Sequence, residues 1–386
     1  MNKKEVSEIK SLYDSIEECG ITRLAGCYVN SEKEKKSVFS TTFLNLPDEE
    51  MYKYLDIFRK TLSGTIGKNL VNMEFVDQLA TDHSFGRGML SDLYRSELGD
   101  DGIIDDFFDS VIASYDHVGS YIILLIHQNY DVPGKTKDGL DMEDASDEVY
   151  PYILCSICPM NLTKPGLGFD ETDEMIHTLK QVFGVEQPEA GFLYPAFNDR
   201  GADESALLYY TKKTDLLQNT FLSETLDVRA PLPAKHQKES FTELVSEVLG
   251  EDANLDTVIA INDNLADMVE ERKDESDETD IRLDKNDIRR AFENTGLPAS
   301  KLVEFDTCFD EKFDVLNAPD SGLRMDDKLS AENVVAARKY EVKNSDIDLK
   351  INTRRSDIMR TEVIDGVKCL VIEITADLTV NGVPIR

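Results

Sequence analysis

Metal-dependent chemistry has one candidate set of side chains in this sequence. His127 stands between the apolar run Tyr121–Ile126 and an acidic stretch that holds Asp138, Asp141, Glu143, Asp144, Asp147 and Glu148. A histidine with carboxylates can hold a divalent cation, and His127, Asp138, Asp141 and Asp144 are the candidate ligands. The spacing misses the calcium loop, which places oxygen ligands at alternate positions with glycine at the sixth. A solvated acidic loop is the competing reading. The remaining histidines, His83, His117, His177 and His236, stand in no paired-ligand or triad context.

Two glycine-lysine sequences fall short of a phosphate-binding loop. Gly134-Lys135-Thr136 needs a glycine at position 129, where Asn129 stands, and a following helix, where acids follow instead. Ser63–Lys68 lacks the spacing and reads as a glycine turn after a helix. Cys155 and Cys158 form a lone C-x-x-C. Redox pairs of this kind sit at a helix start, where the dipole lowers the thiol pKa. Here the pair falls inside an apparent strand, where residues three apart face opposite sides, so two buried thiols are expected. No cofactor signature is present, and no cofactor is expected.

The third candidate is a binding surface. The chain has 386 residues, 76 acidic against 42 basic, with a formal charge of −34. That balance opposes non-specific nucleic-acid binding, which depends on phosphate neutralisation. From Arg324 to Lys368, however, ten Lys or Arg face nine Asp or Glu. Arg338, Lys339, Lys350, Arg354, Arg355 and Arg360 fall on or beside predicted strands there and form the candidate phosphate-contacting set. A normally mixed surface is the competing reading.

These residues need elements to position them. Apolar spacing predicts helices over Glu5–Glu18, from Pro47 to about Leu62, over Leu90–Leu98 and over Ile103–Tyr115. Strands are predicted at Ile21–Val29, Tyr121–Ile126, Tyr152–Cys158, Ala190–Ala196 and Ala206–Thr211, with a long loop from Tyr130 to Glu148. Helices follow at Thr214–Leu226, Lys238–Leu249 and Leu255–Val269. Glu270–Asp280 carries seven acids, two bases and no large apolar residue, which reads as a linker. Further helices over Leu283–Phe292 and Ser300–Phe313 precede four strands: Lys339–Val342, Ile347–Ile351, Thr361–Ile364 and Lys368–Ile374. Asp365-Gly366 marks a hairpin turn. The expected fold is α+β: an N-terminal sheet-plus-helices domain over 1–212, a helical segment over 213–270, an acidic linker over 271–282 and a small α+β domain over 283–386. The longest apolar run is far short of a membrane span, no apolar leader follows Met1-Asn2-Lys3-Lys4-Glu5, and six scattered cysteines suit no disulfide framework. A cytoplasmic location without membrane contact is expected.

Ile21-Thr22-Arg23, Thr61–Asn69, Tyr130–Thr136 and Tyr152–Pro159 make the whole chain resemble a bacterial family, number 4317 among the domains of unknown function. The second half, through Thr220–Leu226, Lys235–Glu247, Leu283–Gly296 and Lys339–Ile374, more weakly resembles the bacterial nucleoid-associated proteins. That resemblance implies DNA binding in the nucleoid and a homodimer. It departs at Leu226-Asp227, where that family has leucine-glycine. The leading expectation is a non-enzymatic binding protein that contacts DNA or a DNA-handling partner. The alternatives are an acidic interaction module for a basic partner, or nucleic-acid mimic, and a metal-dependent enzyme built on the 138–148 acids.

Overall fold

The computed structural model describes the chain apart from residues 77–82, 136–140, 171–173, 179, 215–216, 233, 276–280, 315–324, 327, 337–338, 375–377, 381–382 and 386. The fold is α+β. By contacts it divides into two compact units, Met1–Pro233 with Asn317–Asp326, and Ala234–Leu316 with Asp327–Arg386.

The first unit begins with α1 (Lys3–Ser11), β1 (Ile21–Val29), β2 (Lys35–Thr42), α2 (Asp48–Thr61), β3 (Leu70–Glu74), α3 (Gly86–Arg95) and α4 (Asp101–Ser114). It continues through β4 (Ser120–Lys135), β5 (Asp141–Leu162), β6 (Leu167–Asp170), β7 (Met175–Thr178), β8 (Phe183–Val185) and β9 (Ala190–Tyr194). The hairpin β10 (Ala196–Asn198) and β11 (Gly201–Asp203), then β12 (Ala206–Thr211) and β13 (Ala230–Pro231), complete it. The strands form one antiparallel sheet in the order β2-β1-β4-β5-β9-β12-β3, with β8 beside the end of β5.

Both faces of the central strands are buried. Tyr121, Ile123 and Leu125 of β4 pack into one core with Leu90 and Leu93 of α3 and Phe107 and Phe108 of α4. Ile122, Leu124 and Ile126 pack into the other with Ile9 of α1 and Leu55 and Phe58 of α2. A strand buried on both sides reads as a continuous apolar run, which is how Tyr121–Ile126 reads. Gly191 of β9 allows α2 to come close. A Cβ there would stand 2.3 Å from the Cys155 carbonyl oxygen and 2.6 Å from Cγ2 of Thr61. Thr61 and Ser156, both fully buried, join their hydroxyls at 2.7 Å across that contact.

Several elements depart from the sequence expectation. The segment read as a loop from Tyr130 to Glu148 is strand through Lys135 and again from Asp141, because β4 and β5 extend as one ladder past the core. α1 stops at Ser11 rather than Glu18, and Tyr13 turns inward to meet the Tyr152 hydroxyl at 2.8 Å. Strand β2 occupies Lys35–Thr42, where the sequence led to no expected element. In place of a helix over Thr214–Leu226 there is a short helical stretch ending in a five-residue π-turn, Phe221–Thr225. Phe221, Leu222 and Leu226 are buried there in the core under α3 and α4. Thr225 holds the turn by bonding the hydroxyls of Ser110 (2.8 Å) and Ser114 (2.6 Å).

The second unit holds α5 (Ala234–Leu249), α6 (Leu255–Glu275), β14 (Arg282–Leu283), α7 (Lys285–Glu293) and α8 (Ala299–Asp314). The short β15 (Met325–Asp326) pairs with β13 in the first unit's set. The second unit resumes with β16 (Leu329–Ser330), α9 (Ala331–Val334) and three hairpins. These are β17 (Lys339–Lys343) with β18 (Asp348–Asn352), β19 (Met359–Ile364) with β20 (Val367–Ile372), and β21 (Leu378–Val380) with β22 (Val383–Ile385). Asp365 and Gly366, at φ 51° and 82°, make the expected turn between β19 and β20. α6 runs on through Glu275 into the acid-rich stretch, with Arg272 bonded to Asp287 at 2.6 Å.

Because the atom nearest a Cβ at Gly191 is backbone, which cannot rotate away, Gly191→Val should destabilise the first unit by about 3 kcal/mol. Urea unfolding followed by far-UV circular dichroism measures it, and an unchanged midpoint would show that the Cys155 backbone does not stand so close to Gly191.

Candidate anion-binding groove

The six basic residues of the C-terminal part separate by their partners. Lys350 on β18 lies 2.9 Å from Glu341 on β17, its direct cross-strand partner. Arg355 bonds Asp357 at 3.2 Å. Arg360 on β19 holds Glu362 at 2.6 Å and Glu373 at 2.5 Å. The neighbouring carboxylate holds each of Lys350 and Arg360 in its charged form, above its ordinary pKa. These are exposed pairs, worth little to stability, but they cancel charge that a ligand would otherwise meet. Arg338 lies outside the described residues.

Lys339 and Arg354 are placed differently. Both line a groove of about 740 Å³, together with Lys273 from the last turn of α6. Among the described residues none of the three forms an ion pair. Val269, Ile281, Ala331 and Val335 give the groove an apolar lining, and among the described residues Glu332 is the one acidic side chain along it.

Local structure fixes these positions. Lys339 opens β17 and stands opposite Asn352 at the end of β18. The next residue, Tyr340, is buried and anchors the strand to α6: its hydroxyl donates to Asp263 and accepts from Asn262 at 2.9 Å. Arg354 follows Asn352, whose side chain accepts the Arg354 backbone N–H at 3.0 Å and turns the chain at the groove's edge. Lys273 was absent from the sequence expectation because it sits in the stretch read as an acidic linker. The continuation of α6 places it here, and helical spacing from Val269 was the available signal.

Of the proposed metal ligands, His127 stands apart from the backbone of Asp141 and Asp144. His127 is fully buried on β4, opposite Ile153, on the face covered by α3 and α4. Its Nδ1 lies 2.8 Å from the hydroxyl of Thr22, the extra residue of a bulge in β1 between Ile21 and Arg23. Arg23, beside it, donates to the Leu98 carbonyl at 2.8 Å. Asp141 and Asp144 belong to the start of β5, and the run from Asp144 to Ile153 along that strand spans roughly 30 Å. Asp138 lies outside the described residues. Among the described residues no group of three or more His, Cys, Asp or Glu is placed to hold a metal ion.

Cys155 and Cys158 fall on opposite faces of the sheet, in separate cores. All six cysteines are free thiols. Burial pushes Cys158 up to about 12 and Cys155 higher still, far from the low pKa of a redox thiol. In native protein a thiol reagent should therefore react first at the partly exposed Cys19 and Cys369, and reach Cys155 and Cys158 only on unfolding. Rapid native labelling of either buried thiol would contradict the sheet placement.

Burial lowers the pKa of His127, outweighing the opposing pull of Glu97. Between that depressed value and the unfolded value of about 6.5 the unfolded chain binds more protons. His127 therefore favours the fold above about pH 6.5, and that contribution is lost as pH falls toward the folded pKa. His127→Asn should flatten the acid side of the stability profile between pH 5 and 7, read as melting temperature against pH. An unchanged slope would mean that His127 is solvated.

No described helix is long and apolar enough to cross a membrane. No curated protein and no solved structure matches the chain. The family model for a domain of unknown function, number 4317, matches residues 1–383, so the chain belongs to that family across nearly its whole length.

Proposed function

We propose that this is a non-enzymatic binding protein whose C-terminal unit takes phosphate groups, those of DNA in the first instance, in the groove under Lys273, Lys339 and Arg354. One observation carries the reading: three cations that form no ion pair among the described residues line one groove in a chain of net charge −34. Elsewhere in that unit Lys343, Lys350, Arg355 and Arg360 are matched by acids. A cation left without a partner at the wall of a groove retains its full charge for a ligand. The weak likeness of the second half to the nucleoid-associated proteins points the same way.

The geometry sets the scale of the effect. Three phosphate contacts on a duplex give a salt slope of about −3 in log K against log salt, where six would give about −5. The surrounding negative charge opposes approach at long range, so binding is weak and favoured by low salt. A homodimer, which the same likeness implies, would present two grooves and double the slope on one duplex.

Anisotropy of a labelled DNA duplex across a salt series tests this, with sedimentation to fix the number of chains. Wild-type protein should bind at low salt with a slope near −3 per chain. Lys339→Glu with Arg354→Glu should weaken binding at least tenfold and flatten the slope, while Arg360→Glu, already paired, should change it little. No binding at low salt, or equal loss in both variants, would remove the assignment.

A further inference from the structure

The first unit carries a second groove, of about 460 Å³, with the opposite charge. Its floor is one face of the sheet: Ile122 and Leu124 of β4. α2 forms a wall with Glu50, Lys53, Tyr54, Asp56 and Ile57, and Val185 to Gln187 close the other side. The charged side chains along it are three carboxylates, Glu50, Asp56 and Glu186, and one lysine, Lys53. None of the four makes an ion pair among the described residues. Tyr54 is half-buried, and burial with the Glu50 charge raises its pKa, so its hydroxyl stays neutral. The apolar surface continues beyond the groove. Val185 is 43% exposed, and Phe183, 44% exposed, lies 6.0 Å from the ring of Tyr28.

Strand β8 adds a backbone feature. It pairs antiparallel with the end of β5, Met160 opposite Val185 and Leu162 opposite Phe183. The flanking bonds are Glu186 N–H to the Pro159 carbonyl (2.9 Å) and Thr163 N–H to the Val182 carbonyl (2.8 Å). In an antiparallel ladder, bonded and non-bonded pairs alternate. Met160–Val185 and Leu162–Phe183 are therefore the non-bonded pairs, and the N–H and C=O of Val185 and Phe183 point away from β5. Among the described residues no strand pairs with that edge.

We infer that this groove docks an extended basic segment of a partner protein. Charge decides the occupant. The unpaired carboxylates favour Lys or Arg, and the acidic chain attracts a basic partner at long range. The apolar floor and wall would take the alternate, uncharged side chains of such a segment. At the groove's side wall, the outward N–H and C=O of Val185 are open to main-chain bonds that a small organic cation has no means to use.

The test uses full-length protein and a fluorescent ten-residue peptide of alternating lysine and valine, with an alternating glutamate and valine peptide as its control. Three charge-reversed variants accompany wild type. The first is Glu50→Lys with Asp56→Lys and Glu186→Lys. The second makes the same change in net charge elsewhere, at the exposed Asp101, Asp106 and Glu251. The third, Glu186→Lys alone, serves if the triple groove variant does not fold. A further variant, Val185→Pro, removes one outward N–H without touching a ladder bond to β5. The lysine peptide should bind wild type and lose at least tenfold in affinity on groove reversal, at least threefold on Glu186→Lys and about tenfold on Val185→Pro. The reversal outside the groove should cost less than threefold. Equal loss in the groove and outside variants would show diffuse attraction without a site. No loss in Val185→Pro would remove the strand pairing, and failure of the lysine peptide to bind would overturn the proposal. Lys339→Glu with Arg354→Glu should leave peptide binding unchanged, which separates this site from the phosphate groove.

Discussion

Burial of β4 and β5 on both faces is the constraint around which the first unit is organised. Over Tyr121–Ile126 and Tyr152–Cys158 neither strand leaves its side chains to solvent on either side, so each face of the sheet there needs its own cover. α1 and α2 supply one, α3 and α4 the other, and the segment from Leu217 to Ala230 completes the second core. A fully buried aliphatic side chain contributes about 1.5–3 kcal/mol, so the central run of six apolar residues in β4 contributes heavily to stability. Some of the polar groups buried in this sheet are matched in pairs. Thr61 with Ser156, and Thr22 with Nδ1 of His127, show the matching; among the described residues Nε2 of His127 and the side-chain amide of Gln128 have no partner.

The double-sided burial explains why the sheet was legible in the sequence. Tyr121–Ile126 and Tyr152–Cys158 are unbroken apolar runs, and only a strand covered on both sides reads that way. The helices α2, α3 and α4 were legible from their own periodicity. Where the sequence misled, long-range pairing overrode local composition. Asp141 to Glu148 carry the acids of a loop, yet the ladder with Tyr130–Lys135 makes them strand. The stretch before Leu226 has helical spacing, but packing under α4 and the hydroxyls of Ser110 and Ser114 shape it into a short π-turn.

The candidate sites were less legible, because charge in a sequence does not show its partner. Lys350 and Lys339 look alike in one dimension. Strand register sets Glu341 beside the first and leaves the second at the wall of a groove. Lys273 was hidden among acids until the continuation of α6 fixed its direction. The acidic groove has no linear trace at all, since Glu50, Ile122 and Glu186 come from three distant parts of the chain. Its opposite number in the other unit shows how a net charge of −34 can conceal a local cationic surface.

The topology also bears on how the chain reaches its fold. β1 pairs with β4 across about a hundred residues of sequence, and β3 finds its partner only when β12, ending at Thr211, is available. Pairings of such long sequence separation form slowly, because loop closure must precede contact. The hairpins of the second unit close over a few residues each and form quickly once made. During synthesis, therefore, the apolar central strands emerge well before the residues that complete their cover. Until Phe221 and Leu222 arrive, one core is unsealed, and the strongly acidic chain keeps neighbouring copies apart during that interval.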